Sequence, residues 1–576
     1  MESNSKANKM FFLLKYKYLF FIVFAFILYG NTIQNDYAID DDLVTRNNIT
    51  TKGFSSIKTI FTTPYSTDEE GKGFEYRPIV KLSFAVEHSL FSINPHTSHF
   101  FNVLLYSIVL ILLYKVLIKI FSEEKNTYIF FTVVVFAMIP SHSEVVASLK
   151  NRDILLCYIF SMIGFLQFNR FLNSKKIHFI FTGILSMIAA FFAKFDAFPL
   201  LLIFPILLFH KNTYTIKNVL ITIFIALVIY HGRGFIEDSM ITKSTERTKY
   251  FLYENPLYLN HDLSLRLPAL FNSAGFYVYL LIAPAKLNCY YGFNAIPINQ
   301  YFTFFSILGF IGSILLSYGL IKFYKMPKHP IFVGSLFMLG SISMYLNFLI
   351  PVPGIVADRF AFFASTGFAI IFSYGFMFFV NKKIDSSKNS SYKILIGFLV
   401  LFIIQFTIIF NRNKEWKDLI TLVSNDVNKY PNSLKLNVLY SNELLSMVTK
   451  SNNRMSSIEI SKNINLAKEH LNKAFTIDST YYNICNSLGF IELNLQNNPN
   501  NALKWLKKSY QNNPTKFETA LNLGLCFEKL NLQDSAIKYF SKAQAIKPND
   551  EKLKFYFSNY LKSINRTDLS VNMVTN

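Results

Sequence analysis

Long apolar segments fill most of the first 411 residues and constrain the possible folds more than any other feature of the sequence. A transmembrane helix needs about 20 mainly apolar residues, and each segment reaches or approaches that length. The pattern predicts an all-α, polytopic membrane domain over residues 1–411. The candidate spans cover residues 11–29, 99–120, 127–140, 154–172, 178–192, 197–210, 217–231, 266–286, 301–323, 330–350, 360–380 and 393–410.

Composition and charge agree with a membrane protein. Hydrophobic residues make up 52% of the chain and charged residues only 16%, which is too apolar for a soluble protein of this length. The net charge of +21 comes with lysines grouped in short connections between apolar segments, as the positive-inside bias predicts. We therefore interpret the basic charge as a topological signal and expect no nucleic-acid partner.

The lysine-bearing connections also predict the topology. Segment 11–29 ends without a small-residue cleavage site, so we expect a retained first span with a cytoplasmic N-terminus. All the basic connections face the cytoplasm only if one segment does not cross, and segment 266–286, with internal Pro and Gly, is expected to be a broken or re-entrant helix. About eleven crossings then place the first loop, residues 31–98, and the C-terminal region on the outer side. The connections carry Lys125, Lys175, Lys176, Lys211, Lys217, Lys325, Lys328, Lys382, Lys383 and Lys388.

The character of the chain changes near residue 412, where amphipathic helical sequence rich in Asn, Lys and Ser begins. Ala502 and Ala536, like Pro514 and Pro548, are 34 residues apart, and that is the length of a tetratricopeptide repeat. A more diverged unit runs from Pro431 to Asp478 with an insertion at 451–457, and a polar closing helix is expected over 551–561. Residues 412–576 are therefore predicted to form an α-solenoid of about three tetratricopeptide repeats plus a closing helix.

Polar residues collect in the three connections expected on the outer side. The first carries Asp40-Asp41-Asp42 and then Tyr76-Arg77-Pro78. Neighbouring carboxylates raise one another's pKa unless a cation, a metal or a role as a base stabilises them. A solvated acidic loop is the alternative interpretation, and Arg77 alone could equally be an interface anchor.

The other two outer connections add basic and acidic groups. The second carries His142 and Glu144, which could orient a substrate or simply cap a helix, followed by Arg152, which alone could also be an interface anchor. The third carries Arg359, on a side where positive charge is disfavoured, and this favours a function for it. Within the apolar region, Lys194 needs a partner because a buried charge costs roughly 2.5–3.5 kcal/mol to insert, and Asp196 is the nearest candidate.

Taken in order, these motifs resemble the transmembrane and tetratricopeptide-repeat family of protein O-mannosyltransferases and its bacterial relatives, which belong to the multi-span GT-C glycosyltransferases. The resemblance rests on the first-loop acidic pair, Tyr-Arg-Pro, His-x-Glu with a downstream Arg-Asp, Asp-Arg-Phe before a late span, and Arg412 with Trp416. It covers nearly the whole chain. Two departures are Lys194-Phe195-Asp196, where relatives tend to have Lys-Glu, and Asn151, where a Gly is common.

The resemblance implies transfer of a sugar, mannose-like in this family, from a polyprenyl-phosphate donor to a protein Ser or Thr hydroxyl. It places Asp40 and Asp41 at the catalytic centre, where a carboxylate acts as the general base in an inverting displacement. The departing phosphate needs cations, for which Arg77, Arg152 and Arg359 are the candidates. His142, Glu144 and Lys194 are the candidates for orienting the substrate, and the repeats are expected to bind the acceptor polypeptide.

Several alternatives stay open. The sugar could go to a lipid or a surface glycan, or the chain could be a membrane-anchored scaffold or transporter. A divalent cation is conceivable, with Asp40 and Asp41 as its ligands. The sequence has no GxGxxG, GxxxxGK[ST] or HExxH motif, so it offers no support for nucleotide-sugar binding on a Rossmann domain, ATP hydrolysis or zinc proteolysis. The membrane is expected to be the bacterial inner membrane with a periplasmic C-terminal domain, or the endoplasmic reticulum with a lumenal one.

Overall fold

The computed structural model describes residues 15–48, 51–67, 73–121, 126–209, 231–232, 234–235, 254–258, 262–282, 284–384, 388–450 and 455–566. The predicted all-α class is confirmed, and the described strands are the two-residue Ser66–Thr67 and Gly73–Phe74, which pair antiparallel. The chain divides into two compact units. One comprises residues 1–291 and 296–425, and the other comprises residues 292–295 and 426–576.

Helices build the first unit. Its α-helices are Lys17–Tyr29, Asp41–Val44, Ile57–Ile60, Pro78–Phe91, Pro95–Phe121, Asn126–Ala137, His142–Ala147, Arg152–Ser174, His178–Ala193, Leu200–Phe209, Leu263–Ile282, Phe304–Phe323, Pro330–Ile342, Phe362–Ile384 and Lys388–Glu415. Short 3₁₀ turns cover Gly30–Gln34, Phe54–Ser56, Phe195–Ala197, Pro256–Tyr258, Ser343–Tyr345 and Asp358–Ala361.

Within the described residues, seven helical segments are long and apolar enough to cross a membrane, and four shorter apolar helices accompany them. The long ones are Lys17–Gln34, Pro95–Phe121, Arg152–Ser174, Leu263–Ile282, Phe304–Phe323, Asp358–Val380 and Ile396–Glu415. The span predicted over 217–231 lies almost entirely outside the described residues, and so does the connection with Lys211 and Lys217. A multi-pass helical membrane fold follows from these lengths and compositions.

The break expected in segment 266–286 is wrong. Leu263–Ile282 is one continuous helix with Pro268 inside it. Proline cannot donate to the carbonyl four residues earlier, and the Tyr301 hydroxyl donates to that carbonyl, of Ser264, at 2.7 Å instead. A partner elsewhere in the fold thus satisfies the group that the proline leaves open, as helices with internal prolines in membranes require.

Small residues bring this helix against Phe304–Phe323. A Cβ atom on Gly275 would lie 1.7 Å from the Phe305 carbonyl oxygen, and one on Gly309 would lie 2.0 Å from that of Phe271. The two backbones are therefore in direct contact. Close backbone approach through glycines is the usual way in which membrane helices gain packing without a hydrophobic driving force.

The second unit consists of paired helices. Its helices are Leu434–Lys450, Ser457–Ile477, Tyr482–Phe490 with a π-turn at Ile491–Leu495, Pro499–Asn512, Phe517–Lys529, Gln533–Ile546 and Glu551–Ser563, and Leu419–Lys429 precedes them. Gly489 faces Leu506 and Gly524 faces Phe540, where any Cβ would clash. Ala502 and Ala536 are fully buried. The contact of Gly489 with Leu506 is equivalent to that of Gly524 with Phe540, so this unit contains a helical repeat. Its assignment to the tetratricopeptide class stays a prediction.

Candidate functional site

The three polar connections of the first unit lie together at the ends of its helices. Asp41 of the first connection accepts hydrogen bonds from the second, and Arg77 of the first forms an ion pair with Asp153 at the end of the second. Arg359 of the third connection forms an ion pair with Glu144 of the second. Residues far apart in the sequence thus form one site.

Asp41 fastens the first connection to the second. Its side chain is 0% exposed, and it accepts from the Ser148 hydroxyl at 3.0 Å, the Lys150 N–H at 2.9 Å and the Ala38 N–H at 3.2 Å. Burial raises the pKa of Asp41 to about 7, against the lowering effect of these hydrogen bonds. Both of its oxygens are occupied by the protein, so its contacts are those of a positioning residue.

Asp40 has the opposite environment from its neighbour. Its side chain is 42% exposed, and one oxygen accepts from the Lys150 ammonium at 2.5 Å. Ile39, directly before it, has a φ of 48°, a conformation that is rare for a β-branched residue and typical of functional sites. Of the predicted acidic pair, Asp40 is the member that an incoming molecule can reach.

Arg359 joins the third connection to the second. Its guanidinium donates to Glu144 Oε1 at 2.5 Å, and its backbone N–H donates to Glu144 Oε2 at 2.8 Å. The Arg359 side chain is 28% exposed whereas Glu144 is buried. Glu144 therefore orients the arginine and leaves part of the guanidinium open, and Asp40 and Glu75 also interact with this charge.

Lys194 pairs with the predicted Asp196 and also with a second carboxylate, Asp153. Its ammonium lies 3.5 Å from Asp153 Oδ1 and 3.9 Å from Asp196 Oδ2. Asp153 also binds Arg77, so one buried carboxylate serves two basic groups. Both distances from Lys194 exceed a normal ammonium–carboxylate hydrogen bond of about 2.7–2.9 Å, so its ammonium is shared between the two carboxylates without a close hydrogen bond to either.

Glu75 belongs to the site but was missed in the sequence. Its carboxylate lies 2.5 Å from the Arg77 guanidinium and interacts electrostatically with Lys150, Lys194 and Arg359. We call these four basic residues the cation cluster. Burial by itself would raise the pKa of Glu75, but the four cations outweigh this effect and lower it. A single acid two residues before Arg77 gives no signal in the sequence, because three of its partners come from distant segments.

Arg152 and His142 lie in the interior instead. The guanidinium of Arg152 binds Glu87 at 2.8 Å, Asn102 at 2.8 Å and the Ser98 carbonyl at 2.9 Å, and it covers the Phe84 ring at 3.8 Å. These partners occupy the group, so its contacts are structural and differ from the predicted contact with a phosphate. We call Arg152 with Glu87, Asn102 and Ser98 the Arg152 network.

His142 is enclosed in the same way. Its ring nitrogens lie 2.9 Å from the Tyr106 hydroxyl and 2.9 Å from the Ser365 hydroxyl, and aromatic rings surround it. Burial lowers the pKa of His142 to about 3, so the ring is neutral at physiological pH. These contacts hold the start of helix His142–Ala147 and thereby set the position of Glu144.

The resulting geometry suits an anionic ligand beside a carboxylate. Four basic side chains interact with Glu75, and the partly exposed Asp40 pairs with one of them, Lys150. In the part of the chain that the structure describes, no group of three or more His, Cys, Asp or Glu side chains is arranged to hold a metal ion. The arrangement can bind a phosphate and accept a proton within one site.

Comparison with known proteins shows what the chain is similar to. No family model matches the chain. It is 24% identical over 457 residues to protein O-mannosyl-transferase TMTC3 of Homo sapiens, covering 71% of this chain and 47% of the relative. It is 22% identical over 481 residues to the Homo sapiens TMTC1 protein, covering 73% and 52%, and 22% identical over 430 residues to protein O-mannosyl-transferase F38B6.6 of Caenorhabditis elegans, covering 73% and 58%.

The chain spans about half the length of the curated relatives that it matches. The similarities extend over some 70% of its own residues, so they exceed any single motif. The resemblance predicted from the motifs is thereby confirmed, and the chain is a relative of the transmembrane and tetratricopeptide-repeat family of protein O-mannosyltransferases.

Proposed function

We propose that this protein is a membrane glycosyltransferase that moves a mannose-like sugar from a polyprenyl-phosphate donor to Ser or Thr hydroxyls of proteins. The observation that carries the proposal is the accessible Asp40 carboxylate beside the cation cluster. The names of the relatives, protein O-mannosyl-transferases, support the same reaction. A GT-C membrane enzyme needs no nucleotide-sugar domain, because its donor arrives from the lipid phase.

Asp40 is the general base in this proposal. A Ser or Thr hydroxyl attacks the anomeric carbon of the donor, the bond from that carbon to the phosphate oxygen breaks, and the hydroxyl proton passes to Asp40. The sugar is displaced from the opposite face, so its anomeric configuration inverts. Asp41 is not the base here, since its oxygens already accept three hydrogen bonds.

The departing polyprenyl phosphate gains negative charge, and the cation cluster stabilises it. Arg359 and Arg77 are oriented by Glu144 and Asp153, and Lys194 shares Asp153 with Arg77. Arginine matches the geometry of phosphate oxygens with two parallel donors. Arg152 has no part in this step because its donors are used within the Arg152 network.

The setting of the reaction is part of the proposal. The lipid-linked donor enters from the bilayer, the reaction takes place on the outer face, and the C-terminal helical repeats bind the acceptor polypeptide as tetratricopeptide repeats. The proposed membrane is a bacterial inner membrane or that of the endoplasmic reticulum. A divalent cation bound by Asp40 and Asp41 would have to displace Lys150 from Asp40.

The test follows sugar transfer from a polyprenyl-phosphate mannose to membrane and secreted proteins by the full chain in detergent. Asp40→Asn should lower the rate by about 10²–10⁴-fold, the usual contribution of a general base. Asp42→Asn is the matched control, since this third carboxylate pairs with Arg46 on the loop surface and should leave the rate unchanged.

Each other outcome has a distinct meaning. Full activity of Asp40→Asn would reject the assigned base. Transfer to lipid or polysaccharide, with none to protein, would assign a different acceptor. No transfer by the parent chain from any polyprenyl-phosphate sugar would favour a membrane-anchored scaffold or transporter.

A further inference from the structure

We infer that Glu75 is a built-in competitor for the donor phosphate, whose carboxylate holds the cation cluster in the empty site and is displaced when the phosphate binds. The inference rests on the proposed function and deepens it, because it assigns a donor-affinity role to a residue outside the catalytic pair.

The Glu75 carboxylate lies among the basic residues of the cation cluster. It lies 2.5 Å from Arg77 and interacts with Lys150, Lys194 and Arg359, which come from three other segments of the chain. Glu75 is thus in direct contact with Arg77 and is attracted by the three other cations. A donor phosphate that uses the same cations must bind at or beside this position.

Carboxylates outnumber the cations when Glu75 is counted with the acidic partners of the cation cluster. Asp40 pairs with Lys150, and Glu144 pairs with Arg359. Asp153 pairs with both Arg77 and Lys194, and Asp196 also lies beside Lys194. Four carboxylates already match the four cations, and Glu75 adds a fifth. With Glu75 in place the group carries an excess negative charge, which repels a phosphate; once Glu75 turns away, that repulsion is removed.

The Glu75 side chain can rotate while its backbone stays in place. Its backbone is fixed, because its carbonyl accepts from the Tyr65 N–H at 2.7 Å and its φ is 57°. That left-handed conformation is uncommon for a residue other than glycine. The side chain itself is 46% exposed. A held backbone with an exposed carboxylate lets the side chain rotate into solvent without moving the loop.

The experiment measures the binding of farnesyl phosphate, a short polyprenyl phosphate, to the full chain in detergent, with farnesol as the uncharged reference. Glu75→Gln keeps the size of the side chain and removes its charge. It should bind farnesyl phosphate roughly three- to tenfold more tightly than the parent, in line with the removal of one partly screened like charge. Its affinity for farnesol should not change.

Two further variants separate this role from others. Glu75→Asp keeps the charge and should bind farnesyl phosphate with nearly the parent affinity. Asp42→Asn removes an acid from the same loop outside the cation cluster and should have no effect. Thermal unfolding of all three variants checks that a change in affinity does not reflect a change in folding.

Equal or weaker binding of farnesyl phosphate by a folded Glu75→Gln protein would overturn the inference, and so would the absence of binding to the parent. Sugar transfer by the parent together with unchanged affinity in Glu75→Gln would reject this inference alone. Tighter binding in the variant without sugar transfer by the parent would support the phosphate site and reject the proposed reaction. Loss of transfer in Glu75→Gln with unchanged affinity would assign Glu75 to the chemical step instead.

Discussion

The Arg152 network and the cation cluster lie in the same unit and use the same residue types, yet Lys150 and Arg359 of the cluster are partly exposed whereas Arg152 is buried. The Arg152 side chain is 2% exposed, and Glu87, Asn102 and the Ser98 carbonyl use its donors. Arg359 binds Glu144 but remains open to solvent on one side. A buried arginine whose three nitrogens all contact protein oxygens stabilises the fold, whereas a partly exposed one can bind a further anion.

The two groups should therefore respond differently to substitution. Breaking a buried ion pair leaves the remaining charge without water or a counter-ion, and the cost appears in stability. In the cation cluster several carboxylates share the basic groups, so a neighbour or the solvent compensates for the loss of one. The cost of a substitution there should appear in ligand binding and catalysis.

The largest expected effect breaks the Arg152 network. Arg152→Ala removes the cation from the buried Glu87 carboxylate, so we expect a loss of about 3–5 kcal/mol of folding stability. The thermal unfolding midpoint of the protein in detergent measures it. Arg170→Ala, on the exposed part of the same helix Arg152–Ser174, is the control and should change the midpoint little.

A double variant sharpens this test. Arg152→Met combined with Glu87→Met removes both charges at once, and apolar side chains of similar size often replace a buried ion pair without net loss. The double variant should unfold at a higher temperature than Arg152→Ala. If Arg152→Ala and Arg170→Ala unfolded at the same temperature, the contrast between the network and the cluster would be wrong.

Asp41 lies between the two extremes, because it is as buried as Arg152 but accepts its hydrogen bonds from neutral groups. Burial raises its pKa to about 7, while in the unfolded chain it is about 3.9. Between these values the folded protein holds a proton that the unfolded chain has lost. The stability contributed by this residue therefore falls as the pH rises through this window.

Asp41→Asn provides the measurement, since asparagine does not titrate. The unfolding midpoint of the parent should fall relative to that of the variant as the pH rises from 5 to 8. Parallel midpoints over this range would mean that the Asp41 carboxylate ionises in the fold as easily as in water. The variant also loses the hydrogen bond from the Ala38 N–H, which changes its unfolding midpoint at every pH. The prediction is therefore tested by how the difference between the two midpoints changes with pH.

The sequence predicted features that depend on local pattern. Apolar length predicted Pro95–Phe121 and Arg152–Ser174 within a few residues, and polar residues at segment ends predicted which connections carry Asp40, Glu144 and Arg359. The continuous helix Leu263–Ile282 was not predicted, because the Tyr301 hydroxyl that completes it lies 37 residues away from its partner. A proline inside an apolar segment does not reveal whether such a partner exists.

Roles within the site depended on contacts that no local pattern contains. Arg77, Arg152 and Arg359 were all candidates for the donor phosphate in the sequence, and their burial and partners separate Arg152 from the other two. Asp196 was the expected partner of Lys194 from proximity in the chain, but Asp153, 41 residues earlier, lies closer at 3.5 Å. Glu75 was missed for the same reason, because its interactions with Lys150, Lys194 and Arg359 depend on the fold.

The smallest expected effect concerns the half-exposed pair of Lys150 and Asp40. Lys150→Gln removes the ammonium from Asp40 but keeps the backbone N–H that donates to Asp41. Partly exposed ion pairs contribute about 0–1 kcal/mol, and salt screens them. The variant should therefore unfold within a few degrees of the parent, and the difference should shrink in high salt.

Lys58→Gln is the matched control, because Lys58 is an exposed lysine of the first connection outside the cation cluster. If Lys150→Gln lowered the unfolding midpoint as far as Arg152→Ala, the pair with Asp40 would belong with the buried network. Asp40 would then be held too firmly to exchange its partner for an acceptor hydroxyl. A small loss of stability together with a changed rate of sugar transfer would instead place Lys150 in the open part of the site, where its charge acts on the reaction and not on the fold.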